Sequence, residues 1–238
     1  MNTIESLRIK LFADGADLNG MIEMASKPYI SGLTTNPTLM NKAGITNYMN
    51  FARDVLREIP NKPISFEVFS DDLAEMKTQA LKIASWGENV NVKIPITNTK
   101  GQETTKLLGE VSKLGVKVNV TALMSTSQVS RIMEALNPDV VSYVSIFAGR
   151  IADTGVDPSP IMVEALRIMK PNLNSSLIWA SPRELLNIFQ ANSIGCHVIT
   201  ATNDILKKLT LVGYDLEQYS LDTVRMFFKD AKAAGYEL

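Results

Sequence analysis

The sequence predicts an α/β fold, a single (β/α)8 TIM barrel over residues 1–238 with a C-terminal helical extension at about 215–236. Three observations point there. Short β-branched runs alternate with longer stretches of helical period. Strand and helix recur without a linker, low-complexity segment or identical repeat. No Gly-rich fingerprint follows the first strand, as an open dinucleotide-binding sheet would require.

The strands read in order as "SLRIKLFA", "YISGLTT", "PISFEVF", "NVNVKIPI", "VKVNVTAL", "VVSYVSIF", "SSLIWAS" and "CHVITAT", runs rich in Val, Ile, Thr and aromatic residues. Between them "DDLAEMKTQALKIASW", "QETTKLLGEVSKL", "SQVSRIMEAL" and "SPIMVEALRIM" space apolar residues three and four apart, as amphipathic helices do. Asp71, Ser125 and Ser181 have the chemistry of helix starts. In "LDTVRMFFKDAKAAGYEL" the residues Leu221, Val224, Phe227, Phe228 and Ala231 form one helical stripe, which either closes the barrel or faces another surface.

Composition excludes several classes of partner. Lys and Arg number 24 against 25 Asp and Glu, a net charge of −1, so no positive field gathers nucleic acid or an anionic membrane. A small-molecule partner fits this balance better. No apolar run approaches the roughly 20 residues of a membrane helix, and "MNTIESLRIK" lacks the apolar core of a secretory signal. A cytoplasmic protein is expected. The single Cys196 leaves no intrachain disulfide and no Cys-rich metal cluster. The single His197 cannot build a multi-His zinc site, and within the apolar "CHVITAT" it reads as a packed side chain. No metal site is expected. Catalysis then falls to carboxylates, hydroxyls, amides and lysine.

Strand parity locates these groups. In the fourth strand Val90, Val92, Ile94 and Ile96 share one face, suited to the outer helices, and Asn91, Lys93 and Pro95 share the other. The third strand opposes Ile64, Phe66 and Val68 to Ser65, Glu67 and Phe69; the fifth opposes Val116, Val118 and Val120 to Lys117, Asn119 and Thr121. In the sixth, Ser145 and Phe147 oppose Val144 and Ile146. Glu67, Lys93, Asn119, Thr121 and Ser145 therefore converge on one interior. Barrel interiors are ordinarily filled with branched apolar side chains, and an unpaired buried polar group costs about 1–3 kcal/mol. A structural Lys93–Glu67 ion pair is the alternative, a weak stabiliser beside apolar packing. Lys117, at the start of its strand, can snorkel to water at the amino-terminal rim. Lys93 sits toward the carboxyl-terminal end of its strand, the side on which barrel active sites lie.

Desolvation disfavours the charged form of a lysine. A free amine attacks ketones and aldehydes to form a Schiff base, and the iminium is an electron sink for breaking or making the adjacent carbon–carbon bond. A carboxylate must then move protons. Glu67 on the neighbouring strand can do so directly or through water, and Asp14 of "LFADGAD" can take the hydroxyl proton. Asp14 could instead cap a helix. Arg150 of "FAGRI" and Arg183 of "ASPRE" follow strands six and seven, where barrels often bind phosphate, and a guanidinium fork matches phosphate oxygens.

The motifs "KLFADGAD", "SGLTTNPTLM", "SFEVF", "NVKIPIT", "VNVTAL", "SIFAGRI" and "WASPRE", in this order, resemble the strand ends of the transaldolase family, especially the small subtype similar to fructose-6-phosphate aldolases. The resemblance implies a (β/α)8 barrel and a mechanism without cofactor, in which Lys93 holds a dihydroxyacetone unit as a Schiff base. It implies Asp14 as acid/base in carbon–carbon cleavage, and Glu67 as the acid/base that works with Thr121 through a catalytic water. Asn36, Asn119 and Ser145 would bind donor hydroxyls, and Arg150, Ser181 and Arg183 the phosphate of the acceptor. Sugar phosphates are then the expected substrates. Fructose-6-phosphate aldolases typically carry Gln at the position of Glu67 and Tyr at that of Phe147, so both residues favour transfer over release of free dihydroxyacetone. In the resembling subtype the C-terminal region packs on a neighbouring subunit, which implies a homo-oligomer, a ring pentamer or a decamer.

The sequence departs from that pattern in places. "DGAD" lacks the Thr more often found after the aspartate, "SIF" lacks a common proline, and "ITNTKGQ" after Lys93 is longer than the usual turn. These changes leave the Asp14, Glu67 and Lys93 set intact and touch the substrate rim. A non-catalytic phosphosugar-binding barrel is the competing expectation; it would bind ligand without a covalent adduct.

Overall fold

A computed structural model describes residues 3–237. Eight parallel strands close into a barrel in sequence order: β1 (Lys10–Asp14), β2 (Ile30–Thr34), β3 (Ile64–Glu67), β4 (Val90–Pro95), β5 (Val118–Leu123), β6 (Ser142–Ile146), β7 (Ser175–Trp179) and β8 (Val198–Thr202). Each strand lies within one of the β-branched runs or overlaps its end. The connections carry α1 (Leu18–Ala25), α2 (Pro37–Lys42), α3 (Tyr48–Glu58), α4 (Leu73–Ala84), α5 (Thr105–Lys113), α6 (Thr126–Ala135), α7 (Ala148–Ala152), α8 (Ser159–Met169), α9 (Leu186–Ser193) and α10 (Asn203–Lys207), and α11 (Leu216–Ala233) follows the barrel. Two connections hold two helices each, α2 with α3 and α7 with α8.

The strand parity read from the sequence holds. Val92, Ile94, Val118, Val120, Val144 and Ile146 are sealed from water between sheet and helices, where a side chain of this size contributes about 1.5–3 kcal/mol by burial. Inside the barrel Phe12, Tyr143, Ile178 and Val198 belong to a separate apolar cluster. The polar positions Asp14, Ser145 and Thr200 come two residues later on β1, β6 and β8, so apolar packing closes the floor and polar groups face the carboxyl-terminal mouth. Gly32 on β2 makes room for that floor: a Cβ there would stand 2.5 Å from the Phe12 ring.

Helix starts divide. Ser125 caps α6 in a reciprocal box with Gln128. Asp71 does not cap α4. Asp72 does, accepting from Glu75 N at 2.9 Å, while Asp71 accepts from Thr99 N and Thr99 Oγ1 at 2.7 Å each and so ties the loop after β3 to the long loop after β4. Those bonds hold the Asp71 carboxyl below its ordinary pKa. Ser181 is not a helix start either. It has φ 60°, and α9 begins at Leu186; Pro182 disfavours right-handed helical geometry in the residue before it.

His197 is a structural acceptor: its Nδ1 takes the Leu177 N–H at 2.9 Å, and burial, aided by Lys10, lowers its pKa. Lys117 reaches out of the amino-terminal end to the Glu88 carbonyl at 2.7 Å. None of the residues of α11 is buried, and Phe227 and Phe228 are 62% and 71% exposed. This helix therefore does not close the barrel. Among the described residues no helix is long and apolar enough to cross a membrane.

Candidate active site

Parallel pairing sets Lys93 level with Glu67 on one side and Asn119 on the other. Lys93 is 6% exposed. Its Nζ lies 3.1 Å from Glu67 Oε2 and donates to the Thr35 carbonyl at 3.2 Å. The buried ion pair weighed from the sequence is present, and its surroundings exceed what an ion pair needs. Ser145 Oγ donates to Asn119 Oδ1 at 2.7 Å, and Asn119 Nδ2 donates to Ser65 Oγ at 3.0 Å, which fixes the amide's orientation. Thr121 Oγ1 is buried without a hydrogen-bond partner among the described residues, at a cost of about 1–3 kcal/mol.

Local backbone geometry aims that hydroxyl. The register between β5 and β6 shifts after Val120, and Ala122 adopts φ 64°. The left-handed region costs a residue with a Cβ roughly 1–2 kcal/mol, and bulges of this kind re-aim side chains beside active sites. The strained Ala122 backbone and the buried Thr121 hydroxyl are thus adjacent on β5.

Asp14 stands at the end of β1 and accepts from Thr34 Oγ1 at 2.8 Å; Thr34 Oγ1 is in turn 2.5 Å from Thr200 Oγ1. Burial raises the Asp14 pKa, outweighing the charge of Lys93 and the Thr34 hydrogen bond, which lower it. Asp14 is not a helix cap. Asp17 fills that role for α1, accepting from Gly20 N at 2.7 Å. Asn36 does cap, receiving Leu39 N at 3.0 Å on Oδ1, and its amide nitrogen has no hydrogen-bond partner among the described residues. The Lys93 bond to the adjacent Thr35 carbonyl brings this segment to the site.

At the rim Phe147 packs against the apolar floor cluster, and the Arg150 guanidinium sits 5.8 Å from its ring centroid. Arg183 donates through Nη1 to Ser181 Oγ at 2.9 Å and to the Ser181 carbonyl at 3.1 Å. Its Nε–Nη2 edge grips Asp153, and that contact, with Arg150 also acting on the carboxylate, keeps the Asp153 pKa low. A Cβ on Gly149 would stand 1.6 Å from the Ser181 carbonyl, so only glycine lets α7 approach this turn. Arg150, Ser181 and Arg183 thus share one patch, and all three guanidinium nitrogens of Arg183 are engaged, with Asp153 and Ser181.

Sequence reading missed Thr34, Thr200 and Asp153. Parity applied to "SGLTT" and "CHVITAT" would have turned Thr34 and Thr200 inward. Asp153 lies in the turn after α7, where no period constrains direction. Among the described residues no three His, Cys, Asp or Glu side chains gather as metal ligands would.

A closed parallel barrel with lysine and carboxylates meeting at the carboxyl ends of its strands falls in the class of (β/α)8 barrels whose reactive groups come from different strands. The chain belongs to the transaldolase/fructose-6-phosphate aldolase family, whose sequence profile matches residues 11–238. It is therefore an enzyme of the aldolase/transferase kind. A probable transaldolase of Sulfurihydrogenibium sp. (strain YO3AOP1) is 32% identical over 222 residues, covering 90% of this chain and 96% of that protein. A probable transaldolase of Thermoanaerobacter sp. (strain X514) is 30% identical and matches 97% of this chain and 100% of its own length. Among solved structures, N-acetylneuraminate lyase from Mycoplasma synoviae superposes with a TM-score of 0.54 at 11% identity, over 92% of this chain and 77% of that one, a likeness of fold alone.

Proposed function

We propose that the protein is a transaldolase that moves a dihydroxyacetone unit from a ketose phosphate (sedoheptulose 7-phosphate or fructose 6-phosphate) to an aldose phosphate (glyceraldehyde 3-phosphate or erythrose 4-phosphate). The observation that carries this reading is the 3.1 Å contact between Lys93 Nζ and Glu67 Oε2 at the mouth of the barrel. Glu67 takes a proton from the ammonium, and the freed amine attacks the ketose carbonyl. Glu67, through a water that the Thr121 hydroxyl can hold, then protonates the carbinolamine oxygen as water leaves. Asp14 accepts the hydroxyl proton while the carbon–carbon bond breaks and its electron pair enters the iminium. The three-carbon enamine waits for the acceptor aldehyde.

Asn36, Asn119 and Ser145 suit the donor hydroxyls, and Arg150, Ser181 and Arg183 the acceptor phosphate. Glu67 and Phe147, in place of the Gln and Tyr typical of fructose-6-phosphate aldolases, favour transfer over release. This activity belongs to the non-oxidative pentose phosphate pathway, in the cytoplasm. The exposed apolar residues of α11 support a homo-oligomer in which this helix packs on a second copy, as the pentamers and decamers of the resembling subtype imply.

Borohydride reduction with fructose 6-phosphate tests the core of the reading. It should leave one three-carbon unit on the peptide containing Lys93. An unmodified Lys93, or an adduct elsewhere, would remove the Schiff base and leave a binding barrel.

A further inference from the structure

The chain of side chains Asp14, Thr34 and Thr200 crosses three strands inside the barrel, β2, β1 and β8. Thr34 and Thr200 are 2% and 6% exposed. Their oxygens are 2.5 Å apart, and Thr34 Oγ1 lies 2.8 Å from Asp14 Oδ1. An ionised carboxylate only accepts. The Thr34 proton is therefore directed to Asp14, and the Thr34 oxygen takes its own hydrogen bond from Thr200. When Asp14 is protonated the same three oxygens can reverse their donors without moving.

We propose that Thr200 is a positioning residue for Asp14: acting through Thr34, it orients the carboxylate and supports its ionised form while touching no substrate. The inference rests on the reading of Asp14 as the group that takes and returns the hydroxyl proton. A base placed in apolar surroundings is held protonated unless donors face it, and bonds in a chain strengthen one another in a low-dielectric interior. Thr200 supplies the second donor of that chain. In cleavage the O–H pair of the donor sugar becomes the new carbonyl bond, the carbon–carbon pair enters the iminium, and the proton goes to the Asp14 oxygen; addition to the acceptor reverses each transfer. The chain serves both directions.

Few charges confuse the titration. From the barrel interior Lys93 on β4 faces Asp14, with Glu67 of β3 beside it. β2 and β8 present hydroxyls, Thr34, Thr200 and Thr202. On the flanking segments Asp17 and Glu23 near α1, and Asp204 and Lys207 of α10, are solvent exposed.

The test compares Thr200→Val, which keeps the shape and removes the hydroxyl, with Thr200→Ser, which keeps the hydroxyl. Thr34 retains Asp14 as its partner in both. Carbon-13 NMR of the Asp14 carboxyl should show its titration midpoint moved up in Thr200→Val and near wild type in Thr200→Ser. The acid limb of the cleavage rate should move with it, so that at a pH on that limb Thr200→Val is several-fold slower, with Lys93 adduct formation unchanged. An unmoved Asp14 midpoint in folded Thr200→Val, or failure of Thr200→Ser to restore it, overturns the proposal. Full cleavage activity in Asp14→Asn would instead overturn the catalytic reading of Asp14, and the NMR midpoint would still decide whether Thr200 acts on it.

Discussion

Lys93 Nζ lies 3.1 Å from Glu67 Oε2 across the β3–β4 pair, at matched register and with side chains 8% and 17% exposed. The carboxylate is close enough to take the ammonium's proton directly. In the proposed mechanism the same carboxylate serves both amine activation and, through a water, the carbinolamine step, so one residue covers both without moving along its strand.

Lys93→Met should preserve the fold, since a long apolar chain fills similar space, and abolish both turnover and the reducible adduct. It leaves Glu67 without its partner in a largely buried site, which should destabilise the protein by about 1–3 kcal/mol. Adding Glu67→Gln should recover part of that loss while activity stays absent. Denaturant titration and borohydride labelling measure the two effects, and near-wild-type turnover in Lys93→Met would exclude the Schiff base.

Asp14→Asn should abolish cleavage yet raise the melting temperature at neutral pH. The folded-state pKa of Asp14 is raised by burial, so its protonated form is the one the fold prefers. That stabilising preference is fully present below the unfolded value of 3.8 and is lost as pH rises through the folded value. An uncharged Asn avoids the loss. The melting-temperature gain should shrink toward zero as pH falls through about 4, and a gain independent of pH would assign it to packing.

Arg150→Ala or Arg183→Ala should raise KM for phosphorylated acceptors about tenfold or more, consistent with loss of a charge-assisted hydrogen bond, with little change in adduct formation. Gly149→Ala should act similarly at a distance, because its Cβ collides with the Ser181 carbonyl; overpacking of this kind costs about 1–3 kcal/mol. Equal damage to phosphorylated and unphosphorylated acceptors would take this patch out of phosphate binding.

Phe147→Tyr should raise release of free dihydroxyacetone from fructose 6-phosphate at the expense of transfer to erythrose 4-phosphate. A phenyl ring offers water no hydrogen bond, whereas a hydroxyl can position the water and its proton. Both products are quantified for both proteins under one condition. A wild type that already releases as fast as it transfers is a fructose-6-phosphate aldolase.

Phe228→Glu on α11 should dissociate the proposed homo-oligomer, read as a fall in mass by light scattering, because a carboxylate would be buried in the proposed apolar contact. A monomeric wild type would leave the helix without that role.

The sequence by itself determined the barrel and the inward set Glu67, Lys93, Asn119, Thr121 and Ser145. Alternation with period 2 is a local property, and it states which side chains a buried strand must send to the same face. It could not decide between neighbouring candidates. Asp14 and Asp17, or Asp71 and Asp72, differ only in how the chain turns after a strand, and tertiary structure gave the caps to Asp17 and Asp72 and sent Asp14 to the interior. Nor could it supply pairings between remote segments, among them Arg183 with Asp153 and Thr34 with Thr200. Those depend on loop paths and on closure of β8 against β1, which bring together residues that no local period relates.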